Sequence, residues 1–288
     1  MTLPRLGVVL GGTGVRGFAQ AGVLSALERT GHPPDVLVGV SSAAVVAATY
    51  AARTDWSEAL LSVDRTRLPT LPSPTGEDTL ARLRGALRGA RQLAPSVWSW
   101  GRRGVEGLGA EVLDDLLGRG LRFRSTRVPL ALVATELGRA RRLVLDDGDL
   151  AAATLAASAL PGIATPVSLG GRQLVDGAFS DPAPVDVARD LGADIVLASV
   201  PFGPGEADGD ALETEPEGPV AGMLRGLEIG RRAFVRERLA EADVALRADL
   251  GEDVRLLDFA GLDAAVRRAH DDMLDAIDEV ERLRGVRA

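Results

Sequence analysis

The alternation in the first fifty residues sets the fold class. Leu6–Leu10 is a short apolar run that stops at Gly11, and Phe18, Ala21, Gly22, Leu24, Ala26 and Leu27 then recur at helical spacing until Gly31, Pro33 and Pro34 end the pattern. A second apolar run, Asp35–Val40, leads into the small residues Ser41–Ala48, which suit a close-packed helix. Strand, helix, strand, helix is the signature of a parallel α/β sheet, because strands running the same way need a crossover between them. Leu130–Ala134 and Ile195–Val200 read as further buried strands and Arg172–Val175 as a shorter one, with helical segments at Asp149–Leu160 and Pro184–Ala193. No internal repeat is present, and 288 residues at 46% hydrophobic content suffice for one large core.

Charge and composition narrow the function. Every basic side chain apart from the two histidines is arginine, and the formal charge is −8. Glu206, Asp208, Asp210, Glu213, Glu215 and Glu217 account for six of those eight negatives, so the rest is close to neutral and nucleic acid is not an expected partner. The absence of cysteine excludes a disulfide framework, a thiolate nucleophile and a cysteine metal site. With no charged leader before an apolar run and no segment long enough to span a bilayer, a soluble, cytoplasmic protein is the expectation.

The stretch Val8–Gly17, VVLGGTGVRG, carries glycines 12, 14 and 17 at the spacing of a dinucleotide fingerprint. That reading needs an acidic side chain about 20 residues later to hold a ribose. Between Val36 and Thr54 there is no Asp or Glu. What ends the second strand is GVSSA, Gly39–Ala43, close to the G-x-S-x-G turn that holds a serine nucleophile between strand and helix. Gly39 and Ala43 are small enough for the backbones to meet there, and Ser41 is the candidate nucleophile. Parallel neighbours bring their carboxyl ends to one edge, so the amides of Gly12, Thr13 and Gly14 are placed to receive the oxyanion formed when Ser41 attacks an ester. Plainer readings exist for each motif: a packing turn for the glycines, a helix cap for Ser41.

A serine needs a base, and the chain has two histidines. His32 enters the second strand at the end opposite Ser41, and His270 belongs to a terminal amphipathic helix. A carboxylate is left, and the best candidate is Asp176, at the end of a short strand and followed by Gly177 and Ala178, although Asp-Gly alone also marks a turn. Asp181 reads as a cap and Asp186 as a surface residue.

Taken in order, these blocks resemble the patatin-like phospholipases, most closely short bacterial members, over about Leu6 to Val200. GGTGVRG is similar to that family's oxyanion loop with its arginine, here Arg16, for which a solvated helix residue is the alternative. GVSSA is similar to its serine elbow, VATEL (Val133–Leu137) and ASALPGIATPV (Ala157–Val167) to internal blocks, and VDGAFSDPAPVDVARDLGADIVLAS to its aspartate block. Thr13 and Ala43 stand where the family pattern has glycine. The resemblance implies a three-layer α/β/α sandwich with a mostly parallel central sheet, plus C-terminal helices. It implies a serine acyl hydrolase of lipid esters (phospholipid, lysophospholipid or simpler acyl ester) using a Ser41–Asp176 pair, with no metal or cofactor. The alternative is a catalytically weak or inactive regulatory or partner-binding protein on the same fold.

The implied organisation is a catalytic domain at 1–202 with a helical insertion at about 55–118, an acidic mobile loop at 203–219, and a helical part at 220–288 packed on the same domain. Within the last part, Val220–Ala242 reads as one helix, and Leu262, Val266, Ala269, Met273, Ile277, Val280 and Leu283 form the stripe of a closing helix. Those helices either complete the core or join two copies. Arg82–Val105 in the insertion holds six arginines, no acid, and Trp98 and Trp100. It reads either as a peripheral membrane contact or as surface helices whose tryptophans pack inward.

Overall fold

The computed structural model describes residues 3–12, 14–63, 108–161, 164–202, 219–250 and 261–286. Thr13, Trp98, Trp100, the rest of the arginine-rich segment and residues 203–218 of the acidic stretch lie outside the described residues.

In chain order the elements are β1 (Leu6–Leu10), a 3-10 turn (Gly14–Ala19), α1 (Gln20–Arg29), β2 (Val36–Val40), α2 (Ala43–Ala52), α3 (Trp56–Leu61) and α4 (Leu108–Leu117). There follow β3 (Leu130–Glu136), β4 (Arg141–Leu145), α5 (Leu150–Ala157), β5 (Val167–Leu169), β6 (Arg172–Asp176), α6 (Val185–Asp190) and β7 (Ile195–Phe202). The chain continues with α7 (Pro219–Leu239), β8 (Val244–Asp249), α8 (Leu262–Asp275) and α9 (Ile277–Arg284). Pro219, assigned to the loop on sequence, is the first residue of α7.

Eight strands form one sheet in the order β5-β6-β3-β2-β1-β7-β8, with β4 also on β3. β3, β2, β1, β7 and β8 are mutually parallel, while β4 and β6 run antiparallel to β3 and β5 antiparallel to β6. Alternate residues of each buried strand point to opposite faces. Leu6, Val8 and Leu10 of β1 join Leu24 and Leu27 of α1, Ala44 of α2 and Met273 of α8 in one core. Val9 joins Val187 of α6 and Val235 and Leu239 of α7 in the other. Helices therefore cover both faces, and the architecture is a three-layer α/β/α sandwich.

The C-terminal helices belong to this packing. A β-carbon at Gly22 of α1 would lie 2.0 Å from the Val266 carbonyl oxygen of α8, so the two helices meet backbone to backbone. The predicted single closing helix is two: the chain leaves regular helical angles at Ala276 (φ −92°, ψ −1°) and resumes at Ile277. Periodicity could not reveal the break, because Met273, Ile277 and Val280 keep helical spacing across it.

Candidate active site

Three strand ends and one strand junction build the site. Leu10, the last residue of β1, pairs with Gly39 of β2 and with Ser199 of β7, so the glycine-rich loop leaves the sheet level with the end of β2. On β3, residues Leu132–Glu136 pair with β4, which occupies one edge. Both β2, on Leu130–Val133, and β6, on Ala134–Glu136, must then lie along the opposite edge. They run toward each other and stop at adjacent registers: Val40 opposite Val133, Asp176 opposite Ala134. The residue after β2 is Ser41 and the last residue of β6 is Asp176, which brings together two groups 135 positions apart in the chain.

The Ser41 hydroxyl donates to Asp176 Oδ2 at 2.6 Å, and both residues are buried. Ser41 has φ 59°, the left-handed region that β-carbon sterics disfavour, as expected of a serine held on a sharp strand-to-helix turn. Its carbonyl accepts from Ala44 N–H at 2.9 Å, starting the turn into α2. Gly39 allows the crossing, since a β-carbon there would lie 2.8 Å from Ala44 Cα and Ala47 Cβ. Ala43 is the first residue of α2, fully buried, and its methyl group is accommodated.

Asp176 Oδ1 accepts from Ala178 N–H at 2.9 Å. The Asp176 amide donates to Ala159 O, within the block Ala157–Val167, and its carbonyl accepts from Thr135 Oγ1 at 2.9 Å. Gly177 follows because a β-carbon there would fall 2.0 Å from Val133 O. Burial pushes the Asp176 carboxyl up to about 6, against the opposing pull of the Ser41 hydroxyl and the Ala178 amide. A carboxylate so placed is a stronger base than one in water.

The loop of Gly12, Gly14 and Arg16 is pressed onto the serine turn. A β-carbon at Gly12 would lie 2.8 Å from Ala43 N, Ser42 Oγ and Val40 O, and one at Gly17 would lie 2.0 Å from Ser42 Oγ. Gly14 takes φ 54°. Arg16 is half-buried in the 3-10 turn. The packing reading of these glycines is thus part of the answer, because packing is what holds the loop against the serine. The histidines are elsewhere: His32 Nε2 lies 3.4 Å from Glu281, and His270 contacts Arg29 and Gly22.

Two features were missed on sequence. Gln20, buried at the start of α1, donates from Nε2 to Gly11 O (3.0 Å) and Ser199 O (2.9 Å). In a planar trans peptide the N–H points opposite to the C=O, so anchoring the Gly11 carbonyl also fixes where the Gly12 N–H points. The available signal was a polar residue on the apolar stripe of α1, three and four positions before Val23 and Leu24. Asp181 corrects the expectation of a cap, whereas Asp186 lies at the surface as expected, its side chain 42% exposed, and is ion-paired there. Asp181 is buried, and Arg142 and Arg238 each bind both carboxylates at 2.5–3.1 Å, tying β4, the segment after Asp176, α6 and α7 together. The N-cap of α6 is Pro184, and Asp181 accepts from Ala183 N–H at 3.2 Å in the turn before it.

Residues 8–189 match the family described as patatin-like phospholipase, and the chain belongs to that family. An uncharacterized NTE family protein of Mycobacterium bovis is 30% identical over 218 residues, a match covering 74% of this chain and 53% of that protein. Lysophospholipase nte1 of Aspergillus niger is 29% identical over 208 residues, covering 67% of this chain and 12% of its own. The chain therefore spans about half the length of the mycobacterial relative and a small part of the fungal one. Among solved structures, VipD from Legionella pneumophila superposes with a TM-score of 0.55 at 13% identity, over 96% of this chain and 67% of that one, a likeness of fold. Among the described residues no helix is long and apolar enough to cross a membrane.

Proposed function

We propose that the protein is a serine acyl hydrolase that cleaves carboxylic esters of lipids, using Ser41 as nucleophile and Asp176 as base. The observation that carries this reading is the 2.6 Å hydrogen bond from a buried serine, held at φ 59°, to a buried carboxylate. Asp176 takes the hydroxyl proton as Ser41 Oγ attacks the ester carbonyl carbon, and the carbonyl oxygen becomes an oxyanion. The amides of Gly12, Thr13 and Gly14, with Arg16, stabilise that charge, a function worth about 2.7–4 kcal/mol for each donor in measured cases. Collapse of the tetrahedral species returns the proton from Asp176 to the leaving alcohol and leaves an acyl-Ser41. Water, deprotonated by Asp176, then attacks the acyl carbon, releasing the carboxylic acid and restoring Ser41.

The raised affinity of Asp176 for protons supports this role, since a base titrating near 6 accepts a serine proton more readily than one near 4. Family membership and the name of the fungal relative support a lipid substrate. A fluorophosphonate probe tests the proposal. It is expected to label Ser41, and Ser41→Ala and Asp176→Asn are each expected to abolish labelling and the turnover of short-chain p-nitrophenyl esters and of lysophospholipid. An intact protein that is neither labelled nor active on any of these esters is a non-catalytic member of the fold.

A further inference from the structure

The carboxyl of Asp176 is aimed by its main chain, and one of the two bonds holding that main chain comes from a side chain. The Asp176 amide donates to Ala159 O at 3.0 Å, and its carbonyl accepts from Thr135 Oγ1 at 2.9 Å. Each bond fixes one of the two planar peptides that meet at the Asp176 Cα. With both planes fixed, φ −43° and ψ 129° are fixed too, and with them the direction of the Cα–Cβ bond. Only the side-chain torsions remain, and the bonds from Ser41 Oγ and Ala178 N–H set these. Ala159 O is main chain, so Thr135 is the side chain on which the aim rests.

The Thr135 hydroxyl is itself oriented. Its oxygen lies 2.8 Å from Ser180 Oγ. A threonine hydroxyl has a single proton, and once that proton is spent on the Asp176 carbonyl, Thr135 Oγ1 is left to accept from Ser180. The other acceptor within reach of Ser180 is Gly177 O at 3.2 Å, which already receives the amides of Ser180 and Asp181 at 3.0 and 2.9 Å. The bonds therefore run from Ser180 to Thr135 to Asp176, and accepting one strengthens the next. Ser180 is held in turn, because its neighbour Asp181 is bound by Arg142, the residue opposite Thr135 on β4. Thr135 is half-buried and shares with Val133 the face of β3 that α6 and α7 cover, where an apolar β-branched residue would suit the strand as well. What the hydroxyl adds is the hold on Asp176.

We propose that Thr135, oriented by Ser180, is a positioning residue that holds the Asp176 carboxyl against Ser41. The role rests on the reading of Asp176 as the base of the reaction. Thr135 acts through the peptide planes at Asp176 and through no contact with substrate, so its loss slows the chemical step and leaves substrate binding alone.

Thr135→Val, which keeps the shape and removes the hydroxyl, tests this against Thr135→Ser, which keeps the hydroxyl. On a short-chain p-nitrophenyl ester Thr135→Val should lower kcat about 10-fold with KM within about twofold of the wild type. Thr135→Ser should hold kcat within about threefold of the wild type, and Ser180→Ala should fall between the two. A second measurement needs no turnover: the Asp176 carboxyl, identified in aspartate-labelled protein as the carboxyl carbon resonance absent from Asp176→Asn, is titrated by NMR. The bonds from Ser41 and Ala178 hold its midpoint down at about 6 against burial. Loosening the aim should therefore raise the midpoint by about half a unit to one unit in Thr135→Val and leave it in place in Thr135→Ser. Thr135→Val with wild-type kcat, a fall in kcat shared by Thr135→Ser, or a midpoint unmoved by the lost hydroxyl overturns the proposal, even where Thr135→Val melts at a lower temperature. A wild type without esterase activity, or an Asp176→Asn variant that retains it, overturns instead the reading of Asp176 as base, and the titration alone then decides whether Thr135 aims the carboxyl.

Discussion

The proposed base leaves a thermodynamic trace that can be read without any substrate. In the unfolded chain Asp176 titrates near 3.8, and in the folded protein near 6, because burial disfavours the carboxylate. Between these values the folded protein holds a proton that the unfolded chain has released, so stability falls as pH rises through the window and levels off above about 7. At 1.36 kcal/mol per pH unit the loss amounts to about 3 kcal/mol, a large share of a typical net stability of about 5–15 kcal/mol. Asp176→Asn removes the ionisation while keeping an oxygen for the Ala178 amide and a polar group beside Ser41. The variant should therefore differ little from the wild type in unfolding stability at pH 4, yet gain on it by about 3 kcal/mol by pH 7. Urea unfolding of both proteins at half-unit intervals from pH 4 to 8 measures the gap, provided the slopes with denaturant agree. A gap that stays constant across that range, or that closes as pH rises, refutes the claim that Asp176 is a desolvated carboxyl of raised pKa.

Four further outcomes follow from the same geometry. In steady-state assays on a soluble ester, kcat/KM should rise about tenfold per unit up to pH 6 and flatten above it, since only ionised Asp176 accepts the serine proton; a flat profile from pH 5 to 8 would assign the base elsewhere. Gln20→Leu should lower kcat about 10- to 100-fold with little change in KM, because the peptide presenting the Gly12 amide loses its anchor; an equal fall in kcat and rise in KM would point to general disruption. Gly17→Ala places a methyl 2.0 Å from Ser42 Oγ, and circular dichroism melting should record about 1–3 kcal/mol of destabilisation together with lost activity. Arg238→Met leaves buried Asp181 with Arg142 as its remaining cation and should cost about 3 kcal/mol in urea unfolding.

Which parts of the molecule could be read from sequence follows from where each part is buried. β1 and β2 carry side chains buried on both faces, so LGVVL and VLVGV are uninterrupted apolar runs and stand out. β4, β5 and β8 escaped notice because they lie at or near sheet margins. Arg141–Leu145 is at most half-buried, Val167–Leu169 has three residues, and β8 alternates buried Val244 and Leu246 with exposed Ala245 and Arg247. Ser41 was legible because a strained turn between close-packed backbones demands small neighbours. Gln20 and the Arg142–Asp181–Asp186–Arg238 cluster were not, since a buried polar residue has no periodicity of its own and its partners come from distant segments.

The antiparallel strands, of which β6 was legible and β4 was not, are also what bring the candidate site together. In a purely parallel sheet the end of β2 has neighbours whose ends point the same way, and a carboxylate from any of them would have to reach across the strand spacing of about 4.8 Å and over the turn. Here β2 covers only the first part of the β3 edge, and β6 enters the rest of that edge from the opposite direction. Two chain ends thus converge within one strand, and a short aspartate side chain is long enough to meet the serine without an intervening imidazole. β4 is required for this arrangement, because by occupying the other edge of β3 it leaves β6 only the position in line with β2. Charge-reversing Arg142 on β4, which holds the segment after Asp176 through Asp181, should therefore misplace the carboxylate as well as loosen the fold. The readout is fluorophosphonate labelling of Arg142→Glu at a temperature where circular dichroism shows it folded: slowed labelling is expected, and labelling at the wild-type rate would mean that β2 and β6 hold their junction without help from β4.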